Sequence, residues 1–423
     1  MSRPLSAQVT DEQLEVLYGK SPEAAERARA RIDRLEELFE DTFAPVVPTS
    51  VYTSAGRTEL GGNHTDHQHG RGLAASVDWD VLAVASRTDG DMVRVASMKH
   101  GENMVKVGDW DKKPEEVGKS NSLLRGVCRA FVDRGYPITG VCIASQTDVP
   151  GGSGMSSSAA YEVMLATIFN HLFANDELTA IEIAQIGQYA ENEYLGKPSG
   201  LLDQLACAVG GVIEVDFKDP ENPKVEANHL NVREAGHTMF IIDSGASHSR
   251  LTDDYAAITQ EMRAVSEYFG ATHLIDVDPE EFWADLPGVR AATSDRAVLR
   301  AMHFFDENPR VHALIEALKE KRWQDYLDLV NDSGVSSETL LQNIFSSQNP
   351  TEQPVGVAIA VARRELKGRG AVRVHGGGFA GTVQAYVPND QAESFQKAID
   401  AALGEGSCKV ARIRQVGAAV LVP

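Results

Sequence analysis

The stretch Pro150-Gly151-Gly152-Ser153-Gly154-Met155-Ser156-Ser157-Ser158-Ala159-Ala160 decides the fold. Flexible glycines come first, three hydroxyls follow, and good helix formers close the run. Glycines let a backbone close in on a ligand and turn its N–H groups inward. Serines cap the start of a helix, whose first turn carries a partial positive charge. This order suits an anion, and a nucleotide triphosphate is the natural occupant. A loop followed by a well-capped helix explains the same residues. No Lys-Ser or Lys-Thr follows the glycines and the G-x-G-x-x-G spacing is absent, so neither a Walker A loop nor a dinucleotide fingerprint is present.

Outward from this loop, helical spacing predicts a helix over 156–173 and another over 123–131. Strand-like runs Val81-Leu82-Ala83-Val84-Ala85 and Val93-Arg94-Val95-Ala96-Ser97 flank the turn signal Asp89-Gly90-Asp91. Upstream, Leu14, Leu17, Ile32, Leu35 and Leu38 mark a charged helical extension. Downstream, the polar break at 218–223 precedes an apolar strand over 239–243. Helical patterns then run to about Glu365, and strands over 372–374 and 383–387 flank a glycine loop. The class is α+β with two domains, expected at 1–225 and 226–423.

The 423 residues exceed one core at roughly 150 per domain. A net charge of −21 disfavours nucleic acid and anionic membranes as partners, although backbone N–H groups reverse the field locally in a cleft. The four cysteines are scattered without a C-x-x-C pair and read as reduced packing residues. The N-terminus lacks the apolar core of a signal peptide and no run approaches about 18 apolar residues, so a cytoplasmic protein is expected. No repeat or low-complexity tract is present.

Two further segments carry chemistry-bearing residues. Gly56-Arg57-Thr58-Glu59-Leu60-Gly61-Gly62-Asn63-His64-Thr65-Asp66-His67 sets a planar, permanently charged donor near a carboxylate acceptor. His64, Asp66, His67 and His69 by themselves fit a polar loop or a metal set as well. Glu191-Asn192-Glu193-Tyr194-Leu195-Gly196-Lys197-Pro198-Ser199-Gly200-Leu201-Leu202-Asp203-Gln204 offers further carboxylates. Glu193 reads as a surface charge, and Asp203 alone would pass for a helix cap.

Together these segments resemble the signatures of the GHMP kinase superfamily and, within it, of the galactokinase family. The loop resembles P-x-x-x-G-L-S-S-S-A with Met155 for Leu, and 56–67 resembles G-R-x-N-L-I-G-E-H-T-D-Y. Residues 191–204 resemble E-x-x-(F/Y)-x-G-x-P-x-G-x-x-D-Q, and Gly376-Gly377-Gly378-Phe379-Ala380-Gly381 resembles G-G-G-F-G-G. The segment from Asp243 to Tyr255 is similar to N-S-x-x-x-H-S-L-x-x-x-x-Y, with Arg250 inserted; Tyr255 fits either a sugar-pocket wall or a buried packing tyrosine.

The resemblance implies a two-domain fold with its active site in the interdomain cleft, and ATP-dependent phosphorylation of the C1 hydroxyl of galactose to galactose 1-phosphate and ADP. It implies nucleotide contacts from Gly151, Gly152, Ser153, Gly154, Met155, Ser156, Ser157 and Ser158, and Mg²⁺ at Ser157 and Glu191. Arg57 and Asp203 would be catalytic, and Arg57, Asn63, His64, Asp66, Gly200, Asp203 and Tyr255 would bind the sugar. Asn63 stands where the family has a glutamate near sugar C6, His67 replaces its tyrosine, and Glu59 and Gly61 replace Asn and Ile. These departures keep a galacturonate or N-acetylgalactosamine 1-kinase open. A non-catalytic sugar and ATP sensor is the other alternative, although Arg57, Ser157, Glu191 and Asp203 are all present. The family's W-x-N-Y-x-x-G stands here as 120–126 without its aromatics, which leaves nucleotide preference open.

Overall fold

Long β-branched and alanine-rich runs over 50–88 pair as two antiparallel strands, β1 (Ser50–Gly61) and β2 (Arg71–Thr88). In this computed structural model the described residues are 3–98, 101–151, 154–197, 199–246 and 251–423. Strands β3 (Met92–Ser97), β4 (Gly101–Lys106) and β5 (Gly140–Thr147) extend the sheet. The other end of β2 pairs with β6 (Val212–Asp216), which in turn pairs with β7 (Lys224–Asn228). A second sheet has the order β11-β8-β10-β9, formed by β8 (His237–Asp243), β9 (Ala371–Val374), β10 (Thr382–Pro388) and β11 (Cys408–Ala411). The chain's last strand, β12 (Ala419–Val422), returns to the first sheet beside β1.

The expected strand segments fall inside these strands, but residue 225 lies within β7. The second sheet starts only at His237, and β12 brings the C-terminus back to the first. That return depends on pairing across the whole chain and has no local signal.

Successive side chains of a strand point to opposite faces, and both faces of the first sheet are covered. Helices α1 (Asp11–Tyr18) and α2 (Pro22–Phe43) cover one, burying Leu14, Ile32, Leu35 and Phe39 against Val51, Leu82 and Val84. The other carries α3 (Ser120–Asp133), α4 (Ser157–Ala174), α5 (Ala180–Tyr189) and α6 (Leu202–Val209), packed over Tyr52, Val81 and Ala83. Two capping boxes, at Thr10 and Thr179, start α1 and α5. The four cysteines are free and buried. Among the described residues no helix is long and apolar enough to cross a membrane.

Candidate active site

Strand β1 carries Arg57 to the point where α4 begins, and α6 presents Asp203 in its first turn. The two side chains form a two-bond pair, Nε to Oδ1 at 2.6 Å and Nη2 to Oδ2 at 2.8 Å. The third guanidinium nitrogen, Nη1, donates to the carbonyl of Gly154, so one cation ties the carboxylate to the phosphate loop. Burial raises the Asp203 pKa, but the charge and hydrogen bonds of Arg57, aided by Ser156, outweigh it and hold the group at about 2. Asp203 is therefore an acceptor throughout the neutral range. Its side chain keeps 30% exposure against 8% for Arg57, so the open side of the pair is the carboxylate.

The loop is shaped by backbone conformations that side chains rarely adopt. Gly154 has φ of 70° and Ser156 has φ of 52°, in the left-handed region. Ser156 occupies the N-cap of α4 but makes no side-chain cap bond; its hydroxyl donates to Asp203 instead. The capping role expected of this serine is thus replaced by a bond to the carboxylate, because the left-handed turn aims the hydroxyl away from the helix. Gly151 is exposed, Met155 is buried, and Ser157 is half-buried at the first helical position; Gly152 and Ser153 lie outside the described residues.

Ser158, one position beyond Ser157, donates to Glu191 at 2.8 Å. Glu191 sits in a π-helical turn over Ala190–Leu195, which turns Glu191 and Tyr194 inward. Glu193 points out and pairs with the exposed Lys112. Lys197, Ser199 and Gln204 also bond Glu191, at 2.8, 2.6 and 2.9 Å. The sequence reading did not single out these three; Gln204 is the last letter of the segment that carries Asp203 and was the available signal. Burial, then the Glu191 charge, pushes the neighbouring Glu162 well above the usual carboxylate range.

Asp66 and Gly200 meet directly. A Cβ built on Gly200 would lie 2.0 Å from Asp66 Oδ2, so only glycine admits the carboxylate here. Asp66, His67, Gly200 and Gln188 line a cavity of about 290 Å³. His64 has φ of 60° and its Nε2 contacts the carbonyl of Gly377 at 2.9 Å. Burial, then His67, lowers its pKa to about 4, which keeps the ring neutral at neutral pH. Tyr255 stacks on His64 with centroids 6.4 Å apart and donates to Gly378 O at 2.9 Å. Gly377 leaves the room this ring needs, since a Cβ there would stand 2.7 Å from Tyr255 Cε1.

Asn63 is the exception among the expected sugar ligands. It is completely buried, and its amide nitrogen donates to Glu59 at 3.0 Å and to Gly376 O at 2.6 Å. Its oxygen accepts from Asn343 at 2.6 Å. With both ends of the carboxamide engaged by the protein, Asn63 braces the glycine loop against β1; Glu59 beside it is paired with Arg373. The reading of His64, Asp66, His67 and His69 as a metal set also fails. His69 stacks on His273 at 3.6 Å while His64 turns to the glycine loop, and no group of three or more metal-ligating side chains is assembled among the described residues.

Known proteins resemble this chain in sequence and in fold. The family model described as the GHMP kinases N terminal domain matches residues 122–211, and the galactokinase galactose-binding signature matches residues 37–87. Together these two matches tie the chain to the GHMP kinases and to the galactose-binding segment of galactokinases by similarity. Among curated relatives, a galactokinase of Glaesserella parasuis serovar 5 is 29% identical over 370 residues, covering 87% of this chain and 92% of its own. A galactokinase of Actinobacillus pleuropneumoniae serotype 3 is 28% identical, covering 86% and 91%. In fold the chain is similar to Lactococcus lactis galactokinase complexed with galactose, with a TM-score of 0.80, 24% identity, and 92% and 99% of the two chains covered. Methanococcus jannaschii mevalonate kinase is a more distant neighbour, with a TM-score of 0.61, 16% identity, and coverage of 86% and 98%.

Proposed function

We propose that this chain is a galactokinase, a sugar kinase that transfers the γ-phosphoryl group of ATP to the C1 hydroxyl of galactose. The observation that carries the reading is the Arg57–Asp203 pair anchored to the phosphate loop through Gly154. The sugar's C1 oxygen attacks the γ-phosphorus, the bond from that phosphorus to the β,γ-bridging oxygen breaks, and ADP leaves. Asp203 accepts the hydroxyl's hydrogen bond and orients its lone pair. A carboxyl held at about 2 is a weak base, so the proton crosses to it late, once the oxygen–phosphorus bond is largely formed. Arg57 fixes the carboxylate and places positive charge beside the transferring group.

Asp66, with its oxygen against Gly200, and neutral His64 are placed to hold sugar hydroxyls. With Nε2 directed at the Gly377 carbonyl, His64 offers Nδ1 as an acceptor. Tyr255 forms the wall behind it. The donor set of Ser158 or Ser157 with Glu191, hard oxygens beside a phosphate loop, fits Mg²⁺, which commonly takes one or two carboxylates and completes its shell with nucleotide phosphate and water. When bound, the ion supplies charge neutralisation at the phosphate oxygens. Residues 154–158, with the α4 N-terminus, would receive the triphosphate. Galactose is favoured over galacturonate because Asn63, one of the departures that keep the acid open, is sealed inside the protein.

A panel of galactose, galacturonate, N-acetylgalactosamine and glucose, each with ATP and Mg²⁺, tests the reading through ADP release and ³¹P NMR of the product. Galactose 1-phosphate as the main product is expected. Binding of both ligands without ADP release would instead identify a sensor.

A further inference from the structure

A cavity of about 560 Å³, with neither Arg57 nor Asp203 in its lining, lies between α2, the β2 residues Asp78 and Trp79, the end of β5 and the β11 edge. In a chain of net charge −21 its wall is cationic. Arg27, Arg31 and Arg34 recur on one face of α2, and Lys409 and Arg412 approach from the β11 side. Arg31 is committed to Asp80 at 2.8 Å and Asp148 at 3.2 Å, and Arg412 to the Tyr18 carbonyl at 3.0 Å. Arg27, Arg34 and Lys409 form no ion pair within 4.0 Å among the described residues.

Two buried polar atoms of the lining lack hydrogen-bond partners, the donor Arg31 Nε and the acceptor Gln146 Oε1. Arg31 is 7% exposed, so its unused donor is held where water reaches poorly. Of the two carboxylates present, Asp148 is paired with Arg31, and Asp78 accepts from the Arg412 backbone N–H at 2.9 Å. Trp79 adds an apolar face of the kind that packs against the C–H side of a sugar ring. Unpaired cations, a hydroxyl acceptor and an aromatic wall in one cavity specify a phosphate group on a polyhydroxylated carbon frame.

We infer that this cavity is a second ligand site, separate from the phosphoryl-transfer cleft, that takes a phosphorylated sugar. Pro150, the first residue of the phosphate loop, is part of its lining, so an occupant would touch the loop from behind. The inference rests on the cavity alone and stands whether or not the chain phosphorylates galactose.

The test is calorimetric titration of the full chain with glucose 6-phosphate, glucose and inorganic phosphate in parallel. Glucose 6-phosphate is expected to bind one-to-one, more tightly than either fragment, with affinity falling as salt rises. In the triple variant Arg27→Ala, Arg34→Ala, Lys409→Ala, whose changes lie at exposed positions, affinity should fall roughly tenfold or more with the melting temperature unchanged. In Asp203→Asn it should be retained. Undiminished binding in the triple variant, loss of binding in Asp203→Asn, inorganic phosphate binding as tightly as the sugar phosphate, or no binding by the parent chain would each overturn the inference.

Discussion

Two aspartates in this protein are gripped by arginines, one on each face of the first sheet, and they differ in what surrounds them. Asp80 lies under α2 and takes Arg31 at 2.8 Å, Arg414 at 3.0 Å, Thr53 at 2.7 Å and the Tyr18 hydroxyl at 2.6 Å. Both Asp80 and Arg414 have no exposed side-chain surface. Asp203 takes Arg57 and Ser156 but keeps 30% of its side chain open to the cleft. In both, burial raises the carboxyl and arginine outweighs it, so both ionise below their ordinary range. A perturbed carboxylate alone thus does not mark the functional site. What separates them is exposure: Asp80 is sealed and ties the N-terminal helices to the sheet and the C-terminus, whereas Asp203 keeps an open side.

Substitutions sharpen this contrast. Asp80→Ala strands two guanidinium groups in the core and should cost about 3–5 kcal/mol of stability, read as a shift in the urea midpoint, with kcat of the folded fraction preserved. Loss of kcat without loss of stability would break the distinction. Arg57→Ala should do the reverse, lowering kcat roughly 10²–10³-fold, with less effect on the urea midpoint than Asp80→Ala because Asp203 reaches solvent. Tyr18→Phe removes one hydrogen bond to the buried charge and should lower stability by about 1.5–3 kcal/mol without altering the KM for sugar.

The smallest effect is one of pH. Both aspartates titrate lower in the folded chain than in the unfolded one, so the stability they contribute is present above the unfolded value near 3.8 and lost as pH falls below it, for Asp203 through about 2. Urea midpoints of Asp80→Ala and the parent should therefore draw together as pH falls below about 3.8, over and above general acid unfolding. A constant gap would show that the Asp80 charge is not what stabilises.

The cleft was legible in the sequence because its residues travel in short segments with fixed spacing. Arg57 stands at the head of one, Ser156 and Ser158 in another, and Glu191 and Asp203 in a third, and the fold brings all three together. The Asp80 cluster was not legible, since Arg31, Asp80 and Arg414 are isolated in the chain and meet only through β12's return and the docking of α2. The surroundings of Asn63 were hidden for a related reason. Its position in a sugar-binding segment is local information, whereas its burial is set by Asn343 and the glycine loop, some 280 residues away. The bond from Ser156 to Asp203 was hidden in a backbone conformation that composition does not reveal.

Turnover of galactose by Asp203→Asn tests the central claim most directly, measured as ADP release beside the unfolding midpoint of the same sample. A fall of roughly 10²–10⁴-fold in kcat with the fold intact is expected. Undiminished turnover in a folded Asp203→Asn protein would contradict the assignment of that carboxylate to phosphoryl transfer.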